Sequence, residues 1–115
     1  MAAPSKGDMV VCALAGDFGK PRPALVIQNP DAVVAGVLDS LLVCPLTSDL
    51  GGERMYRVAM RPTAANGLHT PSEVMAEKVT AVTPGRVRQV IGRADDVTIA
   101  AVERALLFMF GIGVH

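Results

Sequence analysis

Tryptophan is absent from this sequence, and one tyrosine and three phenylalanines are all its aromatic residues. Rings therefore cannot supply the bulk of a core, which must be built from Val, Leu, Ile, Met and Ala, and a nucleic-acid partner would find few flat surfaces for its bases. An excess of either charge is also missing, because eleven basic and eleven acidic residues cancel. A polyanion would have to be met by a local patch. No apolar run approaches the roughly 18 residues of a membrane span. The opening MAAPSKGD has no apolar stretch of the export type, so a cytoplasmic protein with no membrane partner is expected. Cysteine is scarce: Cys12 and Cys44 sit inside apolar runs with no second pair and no histidine nearby. They read as buried small hydrophobes in a reducing compartment. No cluster has metal-ligand spacing, so neither a metal nor another cofactor is expected.

What remains is strongly apolar, at half of 115 residues. That length predicts one domain, residues 1–115, and so much apolar surface on a small domain predicts burial against a second copy, a homodimer. The pattern is one of short runs between turn residues. Strands are expected at Met9–Leu14, Ala24–Gln28 and Leu41–Leu46, with loops at 16–19 and 29–36. The second run is continuously apolar and should be buried on both faces. After Gly51-Gly52, the alternation of Tyr56, Val58 and Met60 with Arg57, Ala59 and Arg61 predicts a half-exposed strand. A turn at Asn66-Gly67 precedes a fifth strand at 72–76. Short strands so spaced favour a small antiparallel barrel or strongly bent sheet, a mainly β fold. From Asp95-Asp96 the period becomes helical, with Ile99, Val102, Leu106 and Met109 or Phe110 in phase and Gly111 as the stop.

Arg22 lies between Pro21 and Pro23, two imino acids that remove most of its backbone freedom. If the second and third runs pair antiparallel about residues 34 and 35, facing positions sum to about 69, which sets Arg22 beside Thr47. A planar fork of donors next to a hydroxyl makes an anion pocket. Lys20, Arg54, Arg57, Arg61 and Lys78 add charge for a polyanion. His69, in a turn-rich loop, and the terminal His115 are expected to be idle.

In order, "GDMVVCAL", "RPALVI", "VCPLTS", "EVMAEKVTAV", "RVRQVIGR" and "ADDVTIAAVERALLFMFGI" resemble the MazF/PemK family of toxin endoribonucleases, from about Lys6 to Ile112. The resemblance implies a small SH3-like barrel with a C-terminal helix, a homodimer, cleavage of single-stranded RNA and a cognate antitoxin in the active groove. It puts the family's arginine at Arg22 and its threonine at Thr47, followed by Ser48. A later arginine and aspartate of the PemK branch correspond to Met75 and Glu77, so the carboxylate is kept in type and the arginine is lost. Cutting RNA without a metal needs a base for the 2′-hydroxyl, a donor for the phosphorane and an acid for the leaving oxygen. Arg22 suits the phosphorane, Thr47 a supporting hydrogen bond and Glu77 the base, with the acid unassigned. Lys20, Ser48, Arg57 and Lys78 are the expected RNA contacts. Two other classes compete: a CcdB-like gyrase poison, whose terminal Trp-Gly-Ile is here Phe110-Gly111-Ile112, and a non-catalytic RNA-binding domain.

Overall fold

The computed structural model of the chain describes residues 4–14, 20–29, 40–52 and 54–113. The loop expected at 16–19, most of that at 29–36, and His115 lie outside them. Seven strands form one antiparallel, strongly bent sheet: β1 (Asp8–Ala13), β2 (Pro21–Val26), β3 (Leu41–Thr47), β4 (Arg57–Met60), β5 (Ser72–Met75), β6 (Thr80–Val82) and β7 (Val87–Arg93). Helix α1 (Asp96–Phe110) follows. The strand order is β4-β5-β3-β2-β1-β7, with β6 also paired to β3. The sheet is not closed, so the chain adopts the bent sheet and not the full barrel.

Strand β3 is the pivot. Along one edge it meets β2 in the register Ala24↔Pro45, Leu25↔Cys44 and Val26↔Val43. Along the other, its first residues pair with β6 and its last two with β5, as Leu46↔Val74 and Thr47↔Glu73. A 3₁₀ turn at Ala76–Lys78 carries the chain between these two partners.

Successive side chains of a strand point to opposite faces, so continuously apolar strands must be covered twice. On one side Met9, Leu25, Cys44, Leu46 and Val74 pack with Val102, Ala105 and Leu106 of α1. On the other, Val10, Cys12, Ala24, Val26, Val43 and Val82 form a second cluster inside the bend. Both cysteines are buried and free. The helix starts where the Asp95 carboxylate accepts the Thr98 N–H at 2.7 Å, and ends at Gly111, whose φ of 70° allows Ile112 N–H to reach back to Leu107 C=O. Its last turn leaves the core, with Met109 and Phe110 exposed.

Strands β6 and β7 are absent from the reading of the sequence by period alone. The seven residues of β7 are mostly exposed, and they are held by pairing with β1. The Asn66-Gly67 turn braces this strand from outside. Buried Asn66 accepts the N–H groups of Thr63 and Leu68 and donates to Arg61 C=O.

Candidate active site

The prolines flanking Arg22 open β2, where the strand is paired to β1 as Cys12↔Arg22. The β2–β3 pairs all sum to 69, and the same register two positions on sets Arg22 against Thr47. These two side chains line one cavity of about 370 Å³, together with Lys20, Pro23, Leu46, Ser48, Asp49, Thr70 and Ser72. The pocket expected from the register is therefore present. The strand ends of β2 and β3 form its floor, and the start of β5 forms its far wall.

Hydrogen bonds orient that wall and floor. Thr47 Oγ1 accepts the Asp49 N–H at 3.0 Å, a bond that leaves the threonine's own hydroxyl hydrogen available to donate. Ser72 Oγ donates to Thr70 C=O at 3.0 Å and so offers its lone pairs. A cation, a donor hydroxyl and an acceptor hydroxyl meet at one rim.

Glu77 is placed elsewhere. It sits in the 3₁₀ turn, where its Oε2 accepts Arg57 Nε at 2.7 Å. Arg57 Nη1 also reaches Glu73 Oε1 at 3.5 Å, and the three side chains are between 10% and 19% exposed. One buried guanidinium thus serves two carboxylates, and Glu77 Oε1 has no hydrogen-bond partner among the described residues. The bond from Glu77 holds the Arg57 guanidinium above its ordinary pKa, against the opposing effect of burial. Burial first, and then the Glu77 charge, push the Cys44 thiol up to about 12. Arg57 and Glu73 line a second cavity of about 700 Å³, with Leu50, Arg54 and Met55. The Thr47–Glu73 strand pair joins the two cavities, one residue lining each.

Of the expected RNA contacts, Lys20 and Ser48 line the Arg22–Thr47 cavity, Arg57 lines the second one, and Lys78 is exposed beside Glu77. Asp49, Thr70 and Ser72 were not expected. Asp49 could have been found, since it follows Ser48 at the same strand end; Thr70 and Ser72 enter only through the β3–β5 register.

Comparison with known proteins agrees with this fold. Residues 5–110 match the family described as the PemK-like, MazF-like toxin of type II toxin-antitoxin systems. A probable endoribonuclease MazF of Mycolicibacterium smegmatis is 36% identical over 110 residues, covering 93% of this chain and 96% of the relative. The fold is similar to that of a mycobacterial endoribonuclease solved in complex with its cognate antitoxin, with a TM-score of 0.80, 19% identity and coverage of 98% of this chain and 100% of that one. It is also similar to the Deinococcus radiodurans MazE-MazF crystal structure (Form-II), with a TM-score of 0.76, 23% identity and coverage of 98% and 100%. These matches favour neither the gyrase poison nor the non-catalytic RNA-binding domain. With a bent sheet, a closing helix and an arginine–threonine cavity in place, the chain belongs to the PemK-like, MazF-like toxin family of type II toxin-antitoxin systems.

Proposed function

We propose that this chain is a cytoplasmic toxin endoribonuclease that cuts single-stranded RNA without a metal, at the cavity shared by Arg22 and Thr47. The observation that supports this most is the convergence of those two side chains, from strands far apart in the sequence, on one cavity. Arg22 presents a planar fork of donors to the phosphorane oxygens, where charge builds up in the transition state. Thr47 donates its hydroxyl hydrogen to the same phosphate. Lys20 and Ser48 hold the adjoining nucleotides, and the strand continues across the Thr47–Glu73 pair toward Arg57 and Lys78. Glu77, expected from the sequence as the base, is bonded to Arg57, and in this reading it holds Arg57 in the wall between the cavities.

The products are a 2′,3′-phosphate end and a 5′-hydroxyl end. Two chains associate through the apolar residues exposed at the end of α1, Leu107, Phe108 and Phe110 among them. A cognate antitoxin with a disordered, anionic and apolar tail fills the groove and silences the enzyme.

The test is incubation of purified protein with a long RNA in EDTA. Fragments whose 5′ ends accept phosphate from a kinase without prior phosphatase treatment are the expected result, and Arg22→Ala should cut far more slowly. Intact RNA, or cleavage undiminished in that variant, would refute the reading.

A further inference from the structure

Cutting RNA at the Arg22–Thr47 cavity needs a group to take the proton from the 2′-hydroxyl. Both carboxylates of the neighbouring cluster are bonded to Arg57, and Glu77 is not part of this cavity's lining. Among the described residues lining the cavity, one carboxylate is present, that of Asp49. It is exposed, and it makes no ion pair or side-chain hydrogen bond among the described residues. Its backbone is tied down at the same time, because its N–H is bonded to Thr47 Oγ1 at 3.0 Å. The bond that aims the threonine hydroxyl thus also fixes the residue carrying the carboxylate.

We infer that Asp49 is the general base of the cleavage, an inference that rests on the Arg22–Thr47 cavity being the site of RNA cutting. The Asp49 carboxylate removes the proton from the ribose 2′-oxygen. That oxygen bonds to phosphorus, and the bond from phosphorus to the 5′-oxygen breaks. The leaving oxygen takes a proton from water, and the hydroxide so formed recovers the proton held by Asp49. No oxidant, reductant or metal enters the balance.

Electrostatics permit the arrangement. Among the described residues lining the cavity, the charged groups besides Asp49 are the cations Lys20 and Arg22, while Thr47, Ser48, Thr70 and Ser72 are neutral. Removing the Asp49 carboxylate takes one negative charge from this lining and should make the cavity more attractive to a phosphate. This separates a base from a residue that merely supports the loop. Loss of a base lowers kcat and leaves binding intact or tighter, whereas a collapsed loop would weaken both.

The experiment measures single-turnover cleavage of a short RNA by the parent chain and by Asp49→Asn, Asp49→Glu, Arg22→Ala and Thr47→Ala across a pH series. Binding of an uncleavable 2′-deoxy analogue and the thermal midpoint of each variant are measured alongside. Asp49→Asn should lose about 10² to 10⁴ fold in kcat, the usual worth of a positioned acid or base, and should lose the acid limb of the pH profile. Its affinity for the analogue should hold or rise, and its melting should match the parent. Asp49→Glu should be slowed but keep the acid limb. Parent-like kcat in Asp49→Asn, or a fall in kcat with the acid limb intact, would overturn the inference. If Arg22→Ala and Thr47→Ala slow cleavage in that case, the base assignment alone falls. If they too cut like the parent, the cavity is not the site and both readings fall.

Discussion

Arg22 and Arg57 are both guanidiniums at strand ends, and their surroundings set them to different tasks. Proline on either side of Arg22 limits the backbone, so less conformational freedom is lost when the side chain meets an anion. Arg57 is instead consumed by two carboxylates, buried Glu73 and part-buried Glu77, with the Tyr56 ring 5.9 Å away. Removing it would strand two negative charges in a poorly hydrated space. Arg57→Ala should therefore destabilise the fold by about 3 to 5 kcal/mol, read from urea unfolding. A loss below about 1 kcal/mol would mean that the cluster is far better solvated than its burial indicates.

At the scale of elements, the close approach of the Asn66-Gly67 turn to β7 is a tight backbone constraint. Gly67 has a φ of 73°, and a Cβ there would lie 2.1 Å from the Ile91 carbonyl oxygen. Gly67→Ala should cost more than about 2 kcal/mol, combining left-handed strain with displaced backbone, and lower the thermal midpoint by several degrees. The same turn shows what a sequence makes legible. Asn-Gly announces its backbone geometry locally, and the β2–β3 register needed only the midpoint of one loop, so Arg22 and Thr47 could be paired from their numbers. Strand β7 was not legible by period, because its residues are mostly exposed and it owes its form to a partner some eighty residues away. The place of Glu77 was hidden for a related reason. Its partner Arg57 comes from β4, and a 3₁₀ turn, not a strand, carries it. Thr70 and Ser72 depended on the β3–β5 register, which no local signal in the chain sets.

The whole molecule feels one buried thiol. Cys44 lies in the core with its pKa raised from 9.0 to about 12, and the unfolded chain releases that proton more easily. Its contribution is fully present below about pH 9 and is lost as pH rises towards about 12, reaching on the order of 3 to 4 kcal/mol. Alkaline titration of stability should fall less steeply over that window in Cys44→Ala than in the parent. Equal slopes would show that the thiol is not the source.

Across the same molecule, the pairing of β2 with β3 brings Arg22 and Thr47 to one cavity, and the proposed function has them act there on a single phosphate. A double-mutant cycle on single-turnover cleavage tests that convergence most directly, using Arg22→Ala, Thr47→Val and the two combined. Shared action on one phosphate predicts a combined loss well short of the product of the single losses, a coupling of roughly 0.5 to 3 kcal/mol. Losses that multiply in full would show that the two side chains work independently, contradicting the account.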